Sequence, residues 1–168
     1  MKAFPPTIII RHRKENIKKC SLKGLETRSD CIFLRYPLAQ LPPLEGYCLL
    51  TLGAPELSEE DRNVGLLLID GTWKYAEQML GRLQFPPHIK KRTLPSNLKT
   101  AYPRKNNPCG GLASVEALYS AYQILGRPIA GLLDNYYWKE DFVRGAEPVF
   151  HKISSDSEKV AQADLGIV

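Results

Sequence analysis

Short apolar runs and longer polar, periodic stretches alternate along the chain, and each reads as an element. Residues 7–10 (TIII) are β-branched, follow a Pro-Pro pair and predict a first strand. Residues 11–23 are polar and basic, a loop running into a short helix at 22–27. A second strand is expected at 31–35, stopped by Tyr36-Pro37, and a third at 47–52 after a proline-rich connector. Ser58, followed by Glu59, Glu60 and Asp61, has the form of a helix N-cap with acids facing the dipole. That helix must be short, because an apolar strand at 64–69 begins soon after.

Trp73, Ala76, Leu80 and Leu83 recur at helical spacing and predict a helix over 72–83, ended by Pro86-Pro87. A short strand is expected at 92–94, then an irregular segment at 95–111. So long a loop in a compact domain is usually functional or disordered. Ser114 is expected to cap the next helix, with Glu116 in its first turn and an apolar face of Val115, Leu118, Tyr122 and Leu125. Gly126 and Pro128 supply the stop. A last helical region is expected over 129–143 and a loose polar tail from Ser154.

Strands alternating with helices give an α/β fold with much parallel pairing, in which ligands sit at the carboxyl ends of the strands. Asp70 stands at that end of the most apolar strand. The expected organisation is a small N-terminal α/β part at 1–52, a larger part at 53–153 and the tail at 154–168.

At 168 residues the chain fits one domain, or one with a small appendage. No apolar run approaches the roughly 18–20 residues that span a bilayer, and the N-terminus lacks the form of a signal peptide. A cytoplasmic protein with no membrane partner is expected. Cys20, Cys31, Cys48 and Cys109 form no C-x-x-C pair, and the histidines are scattered, so reduced thiols and no metal are expected.

Charge changes the picture more. Residues 2–24 hold seven Lys/Arg and one acid, and residues 85–115 hold six Lys/Arg and none. Two such segments folded together make the footprint of a nucleic-acid partner.

The chain has no G-x-G-x-x-G, Walker loop, G-x-S-x-G or H-E-x-x-H. Two stretches stand out instead. Asp70-Gly71-Thr72-Trp73 ends a buried strand on an acid, a glycine, a hydroxyl and an indole. Residues 110–117 (GGLASVEA) offer glycines for close backbone approach, then free N–H groups at a helix start. Each alone is explained equally well by a tight turn or a helix cap.

Together they resemble a known family. IDGTWKYAEQML is similar to the D-[TGC]-[TS]-W signature of the DTW-domain proteins and their relatives, which are RNA 3-amino-3-carboxypropyl transferases. Leu94-Pro95 and residues 111–117 match the downstream pattern in the same order. Residues 19–25 (KCSLKGL) resemble the K-C-[ST]-x-x-x-L segment of the Tsr3-type enzymes, which modify a small-subunit ribosomal RNA pseudouridine. Residues 128–142 resemble that group's C-terminal helix. The sequence departs from the pattern at residues 100–108, where an Asn-Pro-Val-Asn-Tyr-Gly run is usual, and at Lys139, where Gly is common.

The resemblance implies a SPOUT-like α/β fold, a mostly parallel sheet flanked by helices with a C-terminal trefoil knot. It implies S-adenosylmethionine as donor, held by residues 53–153. An aminocarboxypropyl transferase must bury the sulfonium methyl and present the γ-carbon instead. Trp73 beside the sulfur, with Ala76 near one turn on, has the spacing to do so, and the indole adds cation–π attraction. Asp70 is expected to recognise the donor's amino group or to take the imide proton of the uracil ring as catalytic base. Ser21, Ile69, Thr72, Leu94, Leu112, Ala113, Ser114 and Glu116 complete the expected cofactor site. Arg11, Arg13, Lys14, Lys90, Lys91, Arg92, Lys99, Arg104 and Lys105 are expected on RNA phosphates.

The function implied is transfer of the 3-amino-3-carboxypropyl group to a uridine or pseudouridine of RNA, releasing methylthioadenosine. Pre-ribosomal small-subunit RNA is the expected acceptor and a monomer the expected form. The alternatives are the same transfer to a tRNA uridine, and a non-catalytic RNA-binding ribosome-assembly factor.

Overall fold

The computed structural model describes residues 3–103, 108 and 110–166. Strands β1 (Thr7–His12), β2 (Cys31–Tyr36), β3 (Tyr47–Leu50), β4 (Gly65–Asp70) and β5 (Lys90–Arg92) form one sheet. Its order is β2-β1-β4-β3-β5 and every pairing is parallel. Helices α1 (Trp73–Arg82), α2 (Ser114–Leu125) and α3 (Lys139–Asp164) flank it, with single 3-10 turns at Leu25–Thr27 and Glu59–Asp61. The parallel α/β sheet is as expected, and β4 lies between β1 and β3, so strands from both halves of the chain share it.

The apolar runs become central strands because both of their faces are covered. Alternate residues of one strand serve opposite layers. Ile9, Cys48, Leu50, Leu66 and Leu68 pack with α2 and α3. Ile8, Ile10, Leu49 and Leu67 pack with Met79 and Leu80 of α1. The chain leaves β3 toward β4, whereas it leaves β4 through α1 and crosses past β3 to β5. These opposite departures open a crevice at the carboxyl ends of β3 and β4, the place where open parallel sheets hold ligands.

Four local expectations need correction. β5 starts at Lys90 rather than at 92, since pairing with β3 from Cys48↔Lys90 to Leu50↔Arg92 decides the position of a charged edge strand. Ala113, not Ser114, is the N-cap of α2, and Ser114 is its first residue. Residues 129–138 form turns, and the helix expected there begins only at Lys139. It then runs past Pro148 to Asp164, carried at first by buried Phe142, Ala146 and Val149 on one face. The segment from Ser154 is polar as expected but helical, with nearly all its side chains exposed.

The amino end of the sheet is closed by Arg127, just beyond α2 and 5% exposed. Its guanidinium lies 4.4 Å from the Phe4 ring centroid and 5.8 Å from that of Tyr122. It donates to the carbonyls of Val64 and Arg62.

Candidate active site

Asp70 ends β4 and is 3% exposed. Its Oδ2 accepts from Arg11 Nε at 3.1 Å and from the Cys20 thiol at 3.2 Å, and its Oδ1 accepts from Ser114 Oγ at 2.7 Å. Register explains the first contact, because Arg11 of β1 sits directly opposite Asp70. Arg11 also donates from Nη1 to Glu26 at 3.0 Å and stacks 4.5 Å from the centre of Phe33. Burial works against the Arg11 charge, but Cys20, Asp70 and Glu26 outweigh it and hold its pKa up. Burial, followed by the neighbouring Asp70 charge, pushes the Cys20 thiol up to about 12, so it stays protonated and donates. Asp70 is therefore a fully engaged carboxylate that ties β1, β4 and the start of α2 together.

Glu116 is a second engaged acid, fully buried. It accepts from Thr100 Oγ1 at 2.5 Å and from the backbone N–H groups of Ala101 and Ala113, each at 2.8 Å. The carboxylate expected at the ligand instead staples the irregular segment to α2. Ser21 acts similarly, its hydroxyl accepting from the N–H of Val115 at 3.1 Å. Thr72 caps α1 by accepting from the N–H of Tyr75 at 3.3 Å.

Above this framework lies a cavity of about 520 Å³, lined at the carboxyl ends of β3, β4 and β5. Ile69, Trp73, Ala76, Leu94, Leu112 and Ser114 of the expected cofactor set line it; Ser21, Asp70, Thr72, Ala113 and Glu116 do not. Helix α1 contributes Trp73, Ala76, Glu77 and Leu80, a stripe at the i, i+3, i+4, i+7 spacing, and Lys74 beside it. Volume and apolar lining match sites for small organic ligands. Gly71 makes the turn between β4 and α1, and a Cβ there would meet side-chain atoms of His12 and Tyr75 at 3.4 Å, an ordinary contact.

His12, to which the sequence reading assigned no role, ends β1 beside this turn. It stacks on Tyr75 with ring centres 4.0 Å apart and planes 3° from parallel. Its Nδ1 accepts from the Lys14 N–H at 3.1 Å, which leaves Nε2 to carry the proton of the neutral ring. Burial first, and then Arg13 and Lys14, lower its pKa. No pattern in the sequence could have distinguished this histidine, because its stacking partner lies in a different element.

The expected RNA contacts divide into four groups. Arg13, Lys14, Lys91 and Lys99 are exposed, and the first two follow the carboxyl end of β1, on the cavity side of the sheet. Lys90 and Arg92 pair with Asp61 at 3.2 and 3.0 Å. Arg11 is a correction: 9% exposed and paired with Asp70 and Glu26, it does not reach the surface to meet a phosphate. Arg104 and Lys105 lie outside the described residues, as does Cys109.

Glu15, Cys20 and Asp70 bring potential ligand atoms within 4.8 Å of one another. The Arg11 guanidinium bonded to Asp70 opposes a cation there. Among the described residues no helix is long and apolar enough to cross a membrane.

No protein-family model matches the chain, and no curated protein matches it. A solved structure does. The chain is similar to the SAM-dependent rRNA:acp-transferase Tsr3 from Vulcanisaeta distributa, with a TM-score of 0.72 and 21% identity. The match covers 98% of this chain and 91% of the other, so the two share one fold over nearly their whole length.

Proposed function

We propose that this chain is an RNA aminocarboxypropyl transferase that takes S-adenosylmethionine as donor and a uridine or pseudouridine of small-subunit ribosomal RNA as acceptor. The observation that carries the reading is the 520 Å³ cavity walled by Trp73 and Ala76, at the strand ends of a fold shared with an rRNA:acp-transferase. The residues fit the donor: an indole for the sulfonium and an apolar lining from Ile69, Leu94 and Leu112. When bound, S-adenosylmethionine supplies an activated γ-carbon and departs as methylthioadenosine.

The chain's own residues bind and orient. Trp73, with the small Ala76 beside it, would bury the sulfonium methyl and so leave the γ-carbon for transfer. Asp70 is a positioning residue in this reading, because its oxygens are committed to Arg11, Cys20 and Ser114. Through Ser114 it fixes one wall of the cavity. Arg13, Lys14, Lys91 and Lys99 guide RNA phosphates toward the mouth. The same reading includes a SPOUT-like assignment with a C-terminal trefoil knot, kinship with the DTW-domain proteins and a cytoplasmic location. The fold and kinship are drawn from the signature residues 70–73 and 111–117, and the location from the lack of a long apolar run and of a signal-peptide pattern.

Two preparations of donor test it, one labelled in the carboxyl group and one in the methyl group, each incubated with protein and ribosomal RNA. Carboxyl label should enter the RNA and methyl label should leave with methylthioadenosine. Entry of methyl label alone would make the chain a methyltransferase and sink the reading.

A further inference from the structure

We infer that Glu77 is the carboxylate that pairs with the positive charge of the ligand in this cavity, a role that the sequence reading gave to Asp70. The inference rests on the reading of the cavity as an S-adenosylmethionine site. Such a ligand carries a sulfonium and an ammonium against one carboxylate, a net positive charge. A mostly apolar cavity that holds it gains from a nearby anion.

The two acids of the expected cofactor set are spent. Asp70 is engaged by Arg11, Cys20 and Ser114, and Glu116 by Thr100 and two backbone N–H groups. Neither lines the cavity, and Glu77 is the one acid among the described residues that does. Among the described residues its carboxylate forms no ion pair or side-chain hydrogen bond, not even with Lys74 three residues before it. The other cation on the wall, Arg92, is already paired with Asp61 at 3.0 Å.

Position on α1 makes Glu77 suited to the task. Trp73 and Glu77 are four residues apart, on one face of the helix, and both reach the cavity. A cation lodged in the cavity beside Ala76 would lie within reach of both the indole and the carboxylate. Cation–π attraction and ion pairing then favour the same placement of the ligand.

Calorimetric titration of Glu77→Gln with S-adenosylmethionine and with methylthioadenosine tests the assignment. The first ligand carries the charges and the second carries none. Glutamine keeps the length of the side chain and a good helix propensity, so the fold should persist. Affinity for S-adenosylmethionine should fall about 3- to 10-fold, the effect of a charge-assisted contact discounted for solvent exposure. Affinity for methylthioadenosine should stay the same, and added salt should weaken S-adenosylmethionine binding more in the native protein than in the variant. Equal loss for both ligands, or no loss for either, would overturn the role of Glu77 while leaving the cavity reading intact. Lower transfer with unchanged affinity would overturn it too, by making Glu77 a proton acceptor. Failure of the native protein to bind S-adenosylmethionine would remove the cavity reading itself, and the assignment with it.

Discussion

Two buried arginines stand at opposite ends of the sheet and are handled differently. Arg11, at the carboxyl end, is matched by two carboxylates and bonded into the base of the cavity. Arg127, at the amino end, has no carboxylate bonded to it among the described residues; it lies against Phe4 and Tyr122 and donates to backbone carbonyls. Burial lowers its pKa, and the opposing influence of Tyr122, Tyr47 and Asp30 does not restore it. The guanidinium of Arg11 is neutralised by bonded carboxylates, while that of Arg127 is held by aromatic rings and backbone carbonyls. A buried ion pair is weak evidence for stability in itself but strong evidence that removing one partner is costly.

The difference can be broken from either side. Asp70→Asn should have the largest effect, because it leaves Arg11 buried beside a neutral amide and loosens Ser114. A loss of about 3 kcal/mol is expected in urea unfolding, with weaker S-adenosylmethionine binding. Arg127→Met should cost less, about 1–2 kcal/mol, because the long apolar stem is replaced and no carboxylate bonded to it is left without a partner. Ligand affinity should not change. Equal losses at the two sites would erase the distinction between the ends.

A smaller test sharpens the comparison by adding pH. Asp61, 2% exposed, lies near the amino ends of β4 and β5 and pairs with Lys90 and Arg92. Burial would raise its pKa, but the Ser58 N–H, Arg92 and Lys90 outweigh that and hold it below the usual carboxylate range. A depressed folded pKa contributes stability that is full above the unfolded value and disappears as pH falls through the folded one. Asp61→Asn should therefore cost about 1 kcal/mol at neutral pH and nothing once the native carboxylate is protonated. Unfolding curves of the two proteins should converge below the carboxylate range; a constant gap would assign the loss to packing.

The strands that set the fold were legible because their residues are apolar on both faces, and that pattern does not depend on partners. β1, β3 and β4 lie where the runs at 7–10, 47–52 and 64–69 place them, and α1 follows its stripe. β5 and the far end of α3 were less legible: the first is charged and positioned by β3, and the second is polar and interrupted by Pro148. The same limit governed the site. The expectation for Trp73 and Ala76, which line the cavity wall, came from the resemblance of IDGTWKYAEQML to the family signature together with their helical spacing. Asp70 and Glu116 were recognised as unusual, but their partners Arg11, Thr100 and Ala101 lie far away in sequence, so their engagement became visible only in the fold. Glu77 belongs to the same stripe as Trp73, and its spacing was the signal available to find it.

The central claim is that the Trp73 wall forms a site for S-adenosylmethionine, and calorimetric titration of that ligand into native protein and Trp73→Ala addresses it directly. Saturable binding to the native protein, weakened at least about tenfold by loss of the indole's cation–π and apolar contact, is the predicted result. Equal affinity in the two proteins, or no heat with either, would contradict it.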